Sequence, residues 1–169
     1  MNWTELLKPE IEGAYRTVDR LMDLVEPGML SWKPSSGTNW MTTGQLLRHI
    51  CGAACGPEVK GFVTGDWGPP PEAGDPPLPP AEKMPTVSSI AEAKKLLEAD
   101  KLLALEMIAK AGEKRLDKDP APAPWDPTQM PLGRRLLEVI RHLDIHRCQL
   151  FYYLKLQGKP VHTGHLWGM

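Results

Sequence analysis

Apolar residues return at intervals of three and four in four separate stretches of the chain. Ile11, Ala14, Tyr15, Val18, Leu21, Met22 and Val25 make the first stripe; Leu46, Leu47, Ile50, Ala53 and Ala54 make the second. Leu97, Ala104 and Ile108 carry the third, and Leu136, Val139, Ile140, Leu143, Leu150, Tyr153 and Leu154 the fourth. That spacing gives an α-helix one apolar face. Proline removes a backbone donor and clashes inside a helix, so it marks where such stripes can run. The 18 prolines leave residues 10–26, 35–56, 86–119 and 132–159 free, one stripe to each window. Leucine, at 22, outnumbers valine and isoleucine together, at 13, which favours helix over strand. The pattern predicts an all-α fold, a four-helix bundle.

Local signals sharpen the ends. Thr42 followed by Gln45, and Ser89 followed by Glu92, have capping-box spacing at the starts of the second and third helices. Gly112 is expected to close the third helix, and Gly158, with Pro160 beyond it, the fourth. Pro57 either ends the second helix or kinks it. Residues 67–85 read as a polyproline-like crossover between the second and third helices, and 120–131 as the connection between the third and fourth. No repeat or second core emerges, so residues 1–169 are expected to form one domain.

Charge and composition then narrow the partners. Twenty Lys and Arg against 21 Asp and Glu give a net charge of -1, which offers no electrostatic footprint for nucleic acid or an anionic membrane. No apolar run nears the roughly 18 residues of a membrane span. The first residues lack the pattern of a secretory signal, and three cysteines fit a reducing compartment better than a disulfide scaffold. The expectation is a cytoplasmic protein acting on a small molecule. Leu96, Leu102, Leu103 and Met107 exceed what one core stripe needs, which points to a homodimer through bundle faces.

The histidines carry the candidate chemistry. His142 and His146 stand four residues apart in the fourth helix, within about 40° of one direction and in line with core positions. His49 lies on the apolar side of the second helix, beside Leu46 and Ala53. Imidazoles turned into a bundle need partners there: carboxylates and water, or a divalent cation held by all three. Asp144 and Cys148 lie about 200° round the helix from the nearest of these histidines, and Cys51 equally far from His49, so none joins the group. Cys51 and Cys55 read as ordinary packing. Glu138, Gln149 and Tyr153 share the histidine face: Glu138 as a fourth ligand or a solvated side chain, Gln149 and Tyr153 as groups that orient a ring or a bound molecule. The loop before Thr42 brings Trp32 and Trp40 towards His49, either as a pocket rim or as packing. His162 and His165 read as surface residues.

These residues bear a family resemblance. The segment LLEVIRHLDIHRCQLFYYLKLQGKPV resembles the closing helix of DinB/YfiT-like proteins, with His142, His146, Arg147, Gln149, Tyr153, Leu154 and Gly158 in the pattern. Cys148 stands where glycine is common. LSWKPSSGTNWMTTGQLLRHICGA is similar to the family's other signature, a Trp-containing loop before a helix with one histidine, here His49. The proline-rich middle is poorly matched. The resemblance implies an up-down-down-up four-helix bundle with a divalent metal on His49, His142 and His146. Zinc or nickel comes first, iron or manganese next. Similar members include bacillithiol S-transferases and mycothiol-dependent isomerases, so transfer of a low-molecular-weight thiol to a small electrophile is the implied activity. A metal-dependent hydrolase and a non-catalytic, metal-stapled bundle are the alternatives.

Overall fold

The first stripe folds as α1 (Trp3–Met22), which starts ahead of Pro9 instead of after it. Asn2 closes its end as a capping box: its side chain accepts from Glu5 N–H (2.9 Å), and the Glu5 carboxylate accepts from Asn2 N–H (3.2 Å). Two satisfied donors and a full apolar face hold the first turns in place, and Pro9 sits inside the helix. The computed structural model describes residues 2–69 and 79–169, and among them every long element is a helix; only the isolated bridges Pro120–Pro131 and Ala123–Asp126 pair in β fashion.

The second window holds one short helix, and a further one starts at its last residue. Thr42 and Gln45 make the expected box at the start of α2 (Thr43–Ile50), with bonds of 3.2 and 2.8 Å. Residues 51–55 leave helical geometry, and α3 (Gly56–Thr64) restarts with Pro57 in its first turn, where a missing N–H costs nothing. Pro57 thus neither kinks a continuous helix nor terminates one. Asp100 supplies the cap that Cys55 does not: its carboxylate accepts from Gly56 N–H (3.1 Å) and from the Tyr15 hydroxyl.

Of the proline-rich crossover 67–85, residues 70–78 lie outside the described residues. Its end is anchored by a 3₁₀ turn, Ala81–Lys83, whose Ala81 and Met84 carbonyls accept from the Gln45 amide (2.6 and 2.9 Å). Ser89 caps α4 (Ile90–Lys118), but Glu92 turns back to Ser88 and not to Ser89, so only half the box forms. Gly112 does not end α4. It interrupts it at φ 70°, ψ 160°, and helix resumes to Lys118. The fourth stripe is α5 (Leu132–Leu156), closed by Gly158 at φ 81°: Gly158 and Lys159 N–H groups donate to Lys155 and Leu154 carbonyls (both 3.0 Å), a Schellman closure. A short α6 (Thr163–Leu166) follows.

α1 packs on α4 and α5, while α2 and α3 pack across the same two helices. One continuous core results, and every residue of the first and fourth stripes is buried in it. That packing brings the last turn of α2, the first turn of α3 and the middle of α5 together.

Candidate metal centre

Where those three segments meet, His49, His142 and His146 converge. Their ligating nitrogens all lie within 4.8 Å of one another. His146 Nε2 is 3.0 Å from His49 Nε2 and 3.0 Å from His142 Nε2. All three rings are half-buried.

The outer nitrogens decide what the inner ones can do. Glu58, in the first turn of α3, places a carboxylate oxygen 3.0 Å from His142 Nδ1. A carboxylate only accepts, so the ring proton sits on Nδ1 and leaves a lone pair on Nε2. Gln149 does the same for His146, its amide oxygen 3.0 Å from Nδ1. Two lone-pair nitrogens are therefore turned towards each other at 3.0 Å, an arrangement that repels unless something electropositive lies between them. Burial, then the neighbouring His146 and His142, push His49 down to about 4, so it too is neutral near pH 7. Burial also lowers His146. Three imidazole nitrogens converging this closely are a donor set that can hold one divalent ion.

The cluster is open to solvent space on two sides. A cavity of about 1080 Å³ lies between α3, α5 and the 120–131 connection, with the three histidines and Glu58 at its floor. A smaller one, about 490 Å³, is lined by Met41, Arg48, Gly52 and Pro85, and shares His49 and Ala53 with the first.

A model of the DinB superfamily matches residues 10–150. The chain belongs to that superfamily. Neither a curated protein nor a solved structure matches it. The match takes in His49, His142 and His146, so the convergent histidines of this DinB-superfamily chain lie within the family's own span.

The remaining candidates take other places. Tyr153 is buried and donates to Met41 O (2.9 Å), with Trp32 and Trp40 edge-on to its ring at 5.4 and 6.2 Å. Those tryptophans pack around Tyr153 and line neither cavity beside the histidines. Glu138 faces the larger cavity but is paired to Arg135 (2.9 Å), so it is neither a ligand in the cluster nor a freely solvated side chain. Cys51 and Cys55 are core residues, and burial pushes both thiols up to about 12, which leaves them protonated and inert. In the C-terminal turn the His165 ring accepts from His162 N–H (3.0 Å) and the His162 ring from Gly164 N–H (3.2 Å).

Glu58 escapes the sequence reading. It stands beside a proline in a segment read as a helix end, and no spacing rule links it to α5. The usable signal is Pro57 itself: Pro then Glu is the composition of a helix's first turn. Asp100 works one step further back. It caps α3 from α4, which fixes the turn that carries Glu58. Burial holds the Asp100 carboxyl above its ordinary range.

Proposed function

We propose that this chain is a metal-dependent enzyme in which His49, His142 and His146 hold one divalent cation, zinc or nickel first. The convergence of three inward Nε2 atoms beside an open cavity carries this reading. A structural site is usually closed by four protein ligands. Here three converge, and Glu58 faces the outer nitrogen of His142, which leaves room for a small molecule. That favours catalysis over a metal staple.

A bound divalent ion supplies Lewis acidity, lowering the pKa of a thiol or water that reaches it. The chain's own groups prepare for this. Glu58 and Gln149 hold the protons on His142 Nδ1 and His146 Nδ1, so both rings present lone pairs. His49 stays neutral because burial opposes its charge. Val139, Phe62 and Pro124 keep the larger cavity apolar, so a charged nucleophile there is poorly hydrated and reactive.

The reaction we favour is transfer of a low-molecular-weight thiol to a small electrophile, as an S-transferase or isomerase; hydrolysis is the second reading. Two cavities meeting at His49 suit two reactants. We further propose the up-down-down-up helix order, a single domain over 1–169, and a cytoplasmic protein that binds neither membrane nor nucleic acid. Among the described residues, no helix is long and apolar enough to cross a membrane.

The test is a conjugation assay with several thiols against an aryl halide and an epoxide, beside ester and amide hydrolysis. Thiol adducts that vanish on chelation and return with zinc or nickel support transfer. Hydrolysis with that metal dependence selects the second reading, and turnover untouched by chelation rejects both.

A further inference from the structure

The larger cavity has one wall that a metal site does not need. The 120–131 connection is not slack chain. Ala121 N–H donates to Met130 O (2.9 Å), and Ala123 and Asp126 exchange backbone bonds (2.8 and 3.1 Å), closing a tight turn with Pro124 and Trp125 at its tip. Arg135 of α5, only 4% exposed, clamps the turn from beneath. Its guanidinium donates to Ala121 O (3.0 Å), Thr128 O (2.9 Å), Asp126 Oδ2 (3.0 Å) and Glu138 Oε2 (2.9 Å). Loops usually run free over the surface. A buried guanidinium with four partners, two of them charged, holds this one still.

What it holds is an indole. Trp125 lines the cavity and is 64% exposed. Phe62 and Trp67 complete a set of three mutually edge-to-face rings, with centroids 4.7 Å (Phe62–Trp67), 5.5 Å (Trp67–Trp125) and 6.1 Å (Phe62–Trp125) apart. Gly61 makes the set possible, since a Cβ there would run into the Trp67 ring. An aromatic surface fixed this firmly, and not covered by any described residue beside the histidines, is an unfilled contact. The charged groups around it are already engaged: Glu58 with His142, Glu138 with Arg135, and Arg135 in its four bonds. Among the described residues that line the cavity, none remains to receive an ionic group.

We propose that Trp125, with Phe62, binds a planar, uncharged, apolar portion of the substrate while its reacting head reaches the histidine cluster. This rests on the metal-enzyme reading above and names its substrate class: a flat hydrophobic molecule with one polar end, and not a compound anchored through a carboxylate or phosphate in this cavity.

2-Naphthohydroxamate and acetohydroxamate share one chelating head and differ only in the ring. The ratio of their dissociation constants for metal-loaded protein, measured by calorimetry, cancels the head's affinity for the metal. The wild type should favour the naphthyl compound by at least roughly tenfold, and W125A should lose about that factor while W125F recovers part of it. Acetohydroxamate binding should stay within about twofold in W125A, because the removed ring lies outside the histidine cluster. Equal affinities in the wild type, or a ratio that survives W125A, would overturn the proposal. Failure of the metal reading has a separate signature: neither hydroxamate's binding would depend on added metal. In that event N-methylnaphthalene-2-carboxamide, which has no chelating head, decides alone. Binding lost in W125A upholds the aromatic wall, and unchanged binding rejects it.

Discussion

Glu58 has the largest predicted effect of any residue outside the histidines, because it sets which nitrogen of His142 carries the proton. Glu58→Ala should weaken divalent-metal affinity by about 10–100-fold without unfolding the chain, as competition with a fluorescent chelator would read. Unchanged affinity would mean that the His142 tautomer does not matter. Asp126 makes a pH-dependent contribution of known sign. Bonds from Thr128 and Arg135 hold its carboxyl down at about 2, below the usual carboxylate range. A depressed acid stabilises the fold fully above its unfolded value of about 3.9 and loses that contribution as pH falls through the folded one. Wild type should therefore be more stable than Asp126→Asn at pH 5, and the difference should shrink between about pH 4 and 2. Thermal melts across that range check it; a gap that widens on acidification would contradict the assignment.

Among the helices, the departures from the sequence pattern all have local causes. Helical spacing made the stripes legible, except that Ala53 and Ala54 of the second fall beyond the end of α2. It did the same for the Thr42 cap and the Gly158 closure, since each depends on residues a turn or two apart. Pro9 and Pro57 misled for one reason: a proline-free window locates helix interiors, whereas proline is tolerated near helix starts. Gly112 misled differently. A glycine at positive φ normally ends a helix, but here Leu116 is fully buried in the core and recovers one more turn beyond it. Since φ 70° with ψ 160° is a glycine conformation, Gly112→Ala should cost about 1–3 kcal/mol by chemical denaturation. An unchanged midpoint would show that the break is not needed. The histidine triad was legible because His142 and His146 share one helix face and His49 lies on the apolar side of another helix. The aromatic wall was not, because Phe62, Trp67 and Trp125 meet only through tertiary packing and a turn clamped by a distant arginine.

For the whole molecule, a single core joins all the long helices, and the histidine cluster is built where three helices meet its edge. Not all the surplus apolar residues of α4 belong to that core. Leu102 is 56% exposed, Leu96 and Leu103 are half-buried, and Met107 is in the core after all. We propose that the exposed part is covered by a second copy, so light scattering at micromolar concentration should give twice 18.8 kDa; a monomer would reject the dimer. The central claim is the shared ion, and its most direct test is metal content. Protein purified without a chelating tag and dialysed against zinc or nickel, then against buffer, should retain one divalent ion per chain by mass spectrometry. His146→Ala, which removes the nitrogen closest to both others, should retain none while keeping its helical circular dichroism. A folded His146→Ala protein that still holds one ion per chain, or a wild type that holds none, would contradict the account.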